Sequence, residues 1–148
     1  IYDVISEPGA KFLHGMTYSG HPAAAAAALA NIEILESEKI PQQVQTTGKY
    51  FENTLKGLSD MDIVGEVRGS HFMMGIEFVE DKETKLAFHD DKNVALRLQQ
   101  QAQKRGLIAR PLGNILILSP TLILTKKEID NIGGILRESI EAVTKELL

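Results

Sequence analysis

The sequence predicts an α+β fold, with a small, largely antiparallel sheet and helices packed on one of its faces. Three observations carry that prediction. Segments with helical periodicity alternate with segments rich in β-branched and aromatic residues. The strand-like segments come as two adjacent pairs, each joined by a short turn. A helical segment lies between the pairs and another closes the chain.

Pro22 stands where proline is best tolerated, in the first turn of a helix, so a helix is expected from Pro22 to about Lys39. Ala25, Ala28, Leu29, Ile32 and Leu35 fall on one stripe of it. Pro41 opens a second helix in which Val44, Thr47, Phe51, Leu55 and Leu58 recur at steps of three and four. The two are expected to pair as a helical hairpin. Residues 63–67 and 72–79 read as strands, with Gly69-Ser70 as the turn between them and Gly75 marking a bulge or close packing. The charged stretch from Glu80 to Lys92 reads as a solvated loop. Residues 91–105 form the next helix, ended by Gly106 at a left-handed stop position. Residues 107–110 and 115–118 make the second strand pair. Thr125-Lys126-Lys127-Glu128 is a capping box, followed by Ile129, Ile132, Leu136, Ile140, Val143 and Leu147 on one face of a final amphipathic helix.

At 148 residues with 43% hydrophobic content, the chain matches the size of a single domain. A net charge of −4, with lysines and arginines scattered, offers no basic face for nucleic acid. No apolar run reaches bilayer length, so no membrane span is expected, and a cytoplasmic location is the expectation. There are no cysteines, and His14, His21, His71 and His89 show no short ligand spacing with carboxylates, so no metal is expected.

The segment Phe12-Leu13-His14-Gly15-Met16-Thr17-Tyr18-Ser19-Gly20-His21-Pro22 carries the chemistry. It joins a hydroxyl-rich turn to a helix start, where free N–H groups and the positive end of the macrodipole favour a phosphate or carboxylate. The alternative is that Ser19 or His21 only caps the helix.

This segment resembles one found in class III (omega) aminotransferases that depend on pyridoxal phosphate. The resemblance continues through Val64-Gly65-Glu66-Val67-Arg68-Gly69 into Met74-Gly75-Ile76-Glu77, and through Gly106-Leu107-Ile108-Ala109-Arg110-Pro111-Leu112-Gly113-Asn114 into Leu118-Ser119-Pro120. It spans nearly all of the chain and implies the C-terminal small domain of a fold-type I enzyme, 1–148, with 1–21 leading in from a large domain that is missing here.

The resemblance implies that Thr17 hydrogen-bonds the pyridoxal phosphate held by the other subunit of a dimer, and that Arg110 pairs with the substrate carboxylate and swings away when the substrate is an uncharged amine. The implied reaction moves an amino group between an amine or omega-amino acid and a keto acid such as pyruvate. The Schiff-base lysine of the family lies upstream of Ile1, and none of the eleven lysines present sits in an apolar setting that would suit that role. Lys11 reads as solvated, and the chain alone is expected to be inactive, with no catalytic residue of its own. Arg68 reads as a structural contact in a turn. The alternatives are an arginine at position 110 that snorkels over the sheet edge or bridges to the large domain, and a stand-alone, non-catalytic α+β module that binds a small anion or serves interaction.

Overall fold

The computed structural model of the chain describes residues 2–11 and 15–147. These fall into two units, Ile1–Glu38 and Lys39–Leu148. The division lies in the connection of the expected helical hairpin.

The first unit holds a short helix α1 (Tyr2–Ile5) and a long helix α2 (Pro22–Ser37). Pro22 occupies the first turn of α2, as its missing N–H and fixed φ require. The helix stops two residues before the expected Lys39, which adopts the left-handed conformation at φ 54°. The stripe from Ala25 to Leu35 finds no cover within this unit: every described residue of it is exposed except the half-buried Leu35.

The second unit begins with a single helical run in three pieces: α3 (Ile40–Gln43), a π-helical turn (Val44–Gly48) and α4 (Lys49–Lys56). The hydroxyls of Thr46 and Thr47 both donate to the Gln43 carbonyl oxygen, at 2.9 and 2.8 Å, at the point where the α ladder widens. Strands β1 (Val64–Ser70) and β2 (Met73–Asp81) follow, then a two-residue strand β3 (Leu86–Ala87), helix α5 (Val94–Lys104), strands β4 (Arg110–Leu112) and β5 (Ile115–Leu118), and helix α6 (Lys126–Leu147).

The sheet order is β1-β2-β5-β4, every pair antiparallel, with β3 on the far end of β2. Burial alternates along β2 and β5. Met74, Ile76, Phe78, Leu116 and Leu118 face the core, where they meet Phe51 and Leu55 of α4, Val94 and Leu98 of α5, and Ile129, Leu136 and Ile140 of α6. The other face of the sheet is open in this unit. This is the expected α+β arrangement with helices over one face.

The capping box forms as read: Glu128 N–H donates to Thr125 Oγ1 at 3.3 Å, and Thr125 N–H donates to Glu128 Oε2 at 2.8 Å. Gly106, at φ 91°, ends α5 in the left-handed conformation, with the Leu107 N–H bonded to the Ala102 carbonyl.

Several local expectations are corrected. The first hairpin turns at His71-Phe72, two residues later than Gly69-Ser70. Gly69 lies inside β1 at φ 125°, where an added Cβ would collide with the Met73 carbonyl oxygen, so it serves close strand approach and not the turn. The bulge falls at Gly65, between the Val64 and Glu66 pairings, while Gly75 sits in regular register. The charged loop is partly packed, since Phe88 is buried and its carbonyl accepts the Asn114 side-chain amide at 2.7 Å.

Candidate functional site

In the first unit, residues Thr17 to Gly20 form a turn whose geometry is set by Gly20 at φ 78° and by the Ser19 N–H bond to the Met16 carbonyl, 3.1 Å. His21 is extended, and its carbonyl accepts the Ala25 N–H at 3.0 Å, which starts α2. Phe12, Leu13 and His14 of the motif lie outside the described residues.

The capping alternative is not what the structure shows, because no side chain caps α2. The first N–H groups of a helix have no intrahelical acceptor, and with proline at the first position they belong here to Ala23 and Ala24. Thr17, Tyr18 and Ser19 are exposed, and their hydroxyls make no hydrogen bond among the described residues. The turn thus presents spare donors ahead of a positive helix end, a chemistry that suits a phosphate.

In the second unit, Arg110 opens β4; the expectation had it ending a strand. Pro111 follows it on an edge strand, the place in a sheet where a missing N–H is tolerated. Arg110 is exposed, and its guanidinium makes no hydrogen bond or ion pair among the described residues. It lines a hollow of about 340 Å³ together with Leu107, Ile108, Ile117, Ser119 and Pro120. A permanently charged fork in a mostly apolar hollow is equipped to take a carboxylate in bidentate fashion.

Arg68 contrasts with it. It lies in strand β1 and not in a turn, and its Nη1 donates to Glu66 at 3.0 Å and more closely to Glu77. The Glu77 hydrogen bond is the main cause that raises its pKa above the ordinary arginine value. Strand register puts the two arginines in one row across the open face: Arg68 opposite Gly75, Gly75 opposite Ile117, and Ile117 opposite Arg110. Nothing local in the sequence connects them, because the row is set by the register of three strand pairs.

All eleven lysines are exposed. Lys49 and Lys56 bind Glu52 at 2.7 and 2.6 Å, Lys82 donates to the Ser59 and Met61 carbonyls, and Lys126 lies over the Tyr50 ring. None has the dry surroundings that a carbonyl-binding lysine requires. Among the described residues, no group of three or more histidines or carboxylates is placed to hold a metal ion.

The family model for class III aminotransferases matches residues 1–140. The chain is 37% identical, over its whole length, to a putrescine–pyruvate aminotransferase of Pseudomonas aeruginosa, and it covers 32% of that protein. A solved adenosylmethionine-8-amino-7-oxononanoate aminotransferase from Methanocaldococcus jannaschii superposes with a TM-score of 0.82 at 38% identity, over 90% of this chain and 31% of that one. The form of an aminotransferase from Vibrio fluvialis described as PMP-bound superposes with a TM-score of 0.85 at 35% identity, over 93% of this chain and 30% of that one. The chain therefore spans only about a third of the length of such relatives.

Proposed function

Because the chain belongs to the class III aminotransferases, we propose that it is the C-terminal domain of a cytoplasmic, pyridoxal-phosphate-dependent enzyme that moves an amino group between an amine or omega-amino acid and a keto acid such as pyruvate. On this reading, residues 1–21 lead in from the large domain, and residues 1–148 work only together with that domain and with a second subunit. Among the described residues, no helix is long and apolar enough to cross a membrane.

The observation that carries the reading is the Arg110 guanidinium at the rim of its hollow, without a hydrogen bond or ion pair among the described residues. In this role it takes the carboxylate of a keto or amino acid in bidentate fashion and fixes which end of the substrate faces the reaction. For an amine without a carboxylate, the same side chain turns away, and no anion among the described residues has to be broken from it.

Thr17 is the residue of this chain that would hold the cofactor, its hydroxyl donating to the phosphate of the pyridoxal phosphate bound by the partner subunit. The spare hydroxyls and helix N–H groups around it fit that phosphate. The cofactor, when bound, supplies an electron sink for the carbon that loses its proton. The exposed lysines of this chain do not fit the carbonyl end of the cofactor, so the chain by itself is inactive and contributes binding and orientation only.

The test is the visible absorption of the complete protein before and after addition of an amine donor such as putrescine. A cofactor band that bleaches on amination and returns with pyruvate supports the reading. A protein that binds no cofactor, or whose band ignores amines, overturns it.

A further inference from the structure

Arg68 and Arg110 occupy matching places on the two halves of the sheet, yet among the described residues Arg68 is paired with carboxylates and Arg110 is not. The difference lies in the adjacent row, where Glu66 stands opposite Glu77, Glu77 opposite Ile115, and Ile115 opposite Leu112. Residues opposite each other or two apart across antiparallel strands share a face, and diagonal neighbours are within reach of long side chains. Arg68 therefore has two carboxylates in the row beside it and bonds both. At the corresponding positions beside Arg110 stand Ile115 and Leu112, which accept nothing.

These two residues have no part in the core. Neither belongs to the buried cluster of the unit, and Leu112 is 54% exposed. On the face that is open within this unit, two branched apolar residues therefore stand where Arg68 has its carboxylates.

We propose that Ile115 and Leu112 are specificity-determining residues that keep the Arg110 guanidinium free for a substrate carboxylate by denying it a protein carboxylate. They act through Arg110 and touch no reacting atom. The inference rests on the carboxylate-binding role given to Arg110 above. Its chemistry is competition: an acidic side chain beside Arg110 would form the pair that Glu77 forms with Arg68, and an incoming keto acid would have to displace it.

The experiment uses the complete, cofactor-loaded protein and compares Ile115→Glu with Ile115→Gln, and Leu112→Glu with Leu112→Gln, alongside Arg110→Ala. The glutamate variants are expected to raise the KM for pyruvate about ten- to hundredfold over their glutamine counterparts, with no such rise in KM for an amine donor that carries no carboxylate. The glutamine variants separate charge from shape, and Leu112, at an exposed edge position, serves if Ile115→Glu does not fold. Equal KM values in the glutamate and glutamine variants, with Arg110→Ala still impaired for pyruvate, would overturn this inference alone. An Arg110→Ala variant with an unaltered pyruvate KM would overturn the carboxylate role itself, and this inference with it.

Discussion

The Glu52 carboxylate accepts the backbone N–H of His71 at 3.2 Å, which ties the tip of the β1–β2 hairpin to helix α4. The tip needs such a tie, since His71 is held at φ 49° and packs so near Gly48 that a Cβ there would come within 2.8 Å of the His71 Cβ. Lys49 and Lys56 approach the same carboxylate, and together with the His71 N–H they hold its pKa down to about 2. A depressed pKa stabilises the fold wherever the group is charged in both states, and that contribution fades as pH falls through the folded value. The stability difference between the wild type and Glu52→Gln is therefore expected to be full above pH 4.5 and to vanish as pH approaches 2. Thermal unfolding of both proteins across that range measures it, and a difference independent of pH would exclude the charged tie.

Loss of the Thr17 hydroxyl is expected to weaken cofactor binding by the complete protein. A hydrogen bond to a charged group contributes about 1.5–3 kcal/mol, so Thr17→Ala should raise the dissociation constant about ten- to hundredfold. Titration of the cofactor-free protein measures this, and unchanged affinity removes Thr17 from the site.

Arg110→Ala is expected to damage the two half-reactions unequally. The pyruvate half should lose about ten- to hundredfold in kcat/KM, while the half run with an amine that carries no carboxylate changes little. Single-turnover rates for each half decide it, and equal damage would show that Arg110 supports the fold or the neighbouring domain instead.

The reciprocal hydrogen bonds between Thr125 and Glu128 start α6, which supplies a large part of the core. Thr125→Ala should cost about 0.5–2 kcal/mol, and Thr125→Ser should retain most of that stability. Urea denaturation distinguishes them. Equal losses in both variants would mean that the hydroxyl bond contributes nothing.

What was legible in the sequence was chemistry that acts within a few residues. Pro22 starts a helix because its φ is fixed, Gly106 ends one because it adopts a positive φ without strain, and Thr125 meets Glu128 across a single turn. What was misplaced depended on register between distant strands. Gly69 and Gly75 look alike in sequence, yet the φ and close approach at Gly69 are imposed by Met73 and Met74, and the bulge goes to Gly65 because Val79 crowds that point. The same holds at the site. The Thr17 turn could be read from its hydroxyls and the proline that follows, whereas the contrast between Arg68 and Arg110 depends on which residue stands opposite which across four strands.

The π-helical turn at Val44–Gly48 lets the helical run carry one residue more than an α-helix would use while the pieces on either side keep their rotational phase. Deleting one residue within the turn would restore the α ladder and leave Ile40, now 3% exposed, in its buried seat. Deleting one from α4 itself would instead rotate everything before it by about 100° around the axis and carry Ile40 out of the core. The run therefore has one place where its length can change without exchanging its buried face for its exposed one. The two threonine hydroxyls on the Gln43 carbonyl mark where the extra residue is taken up.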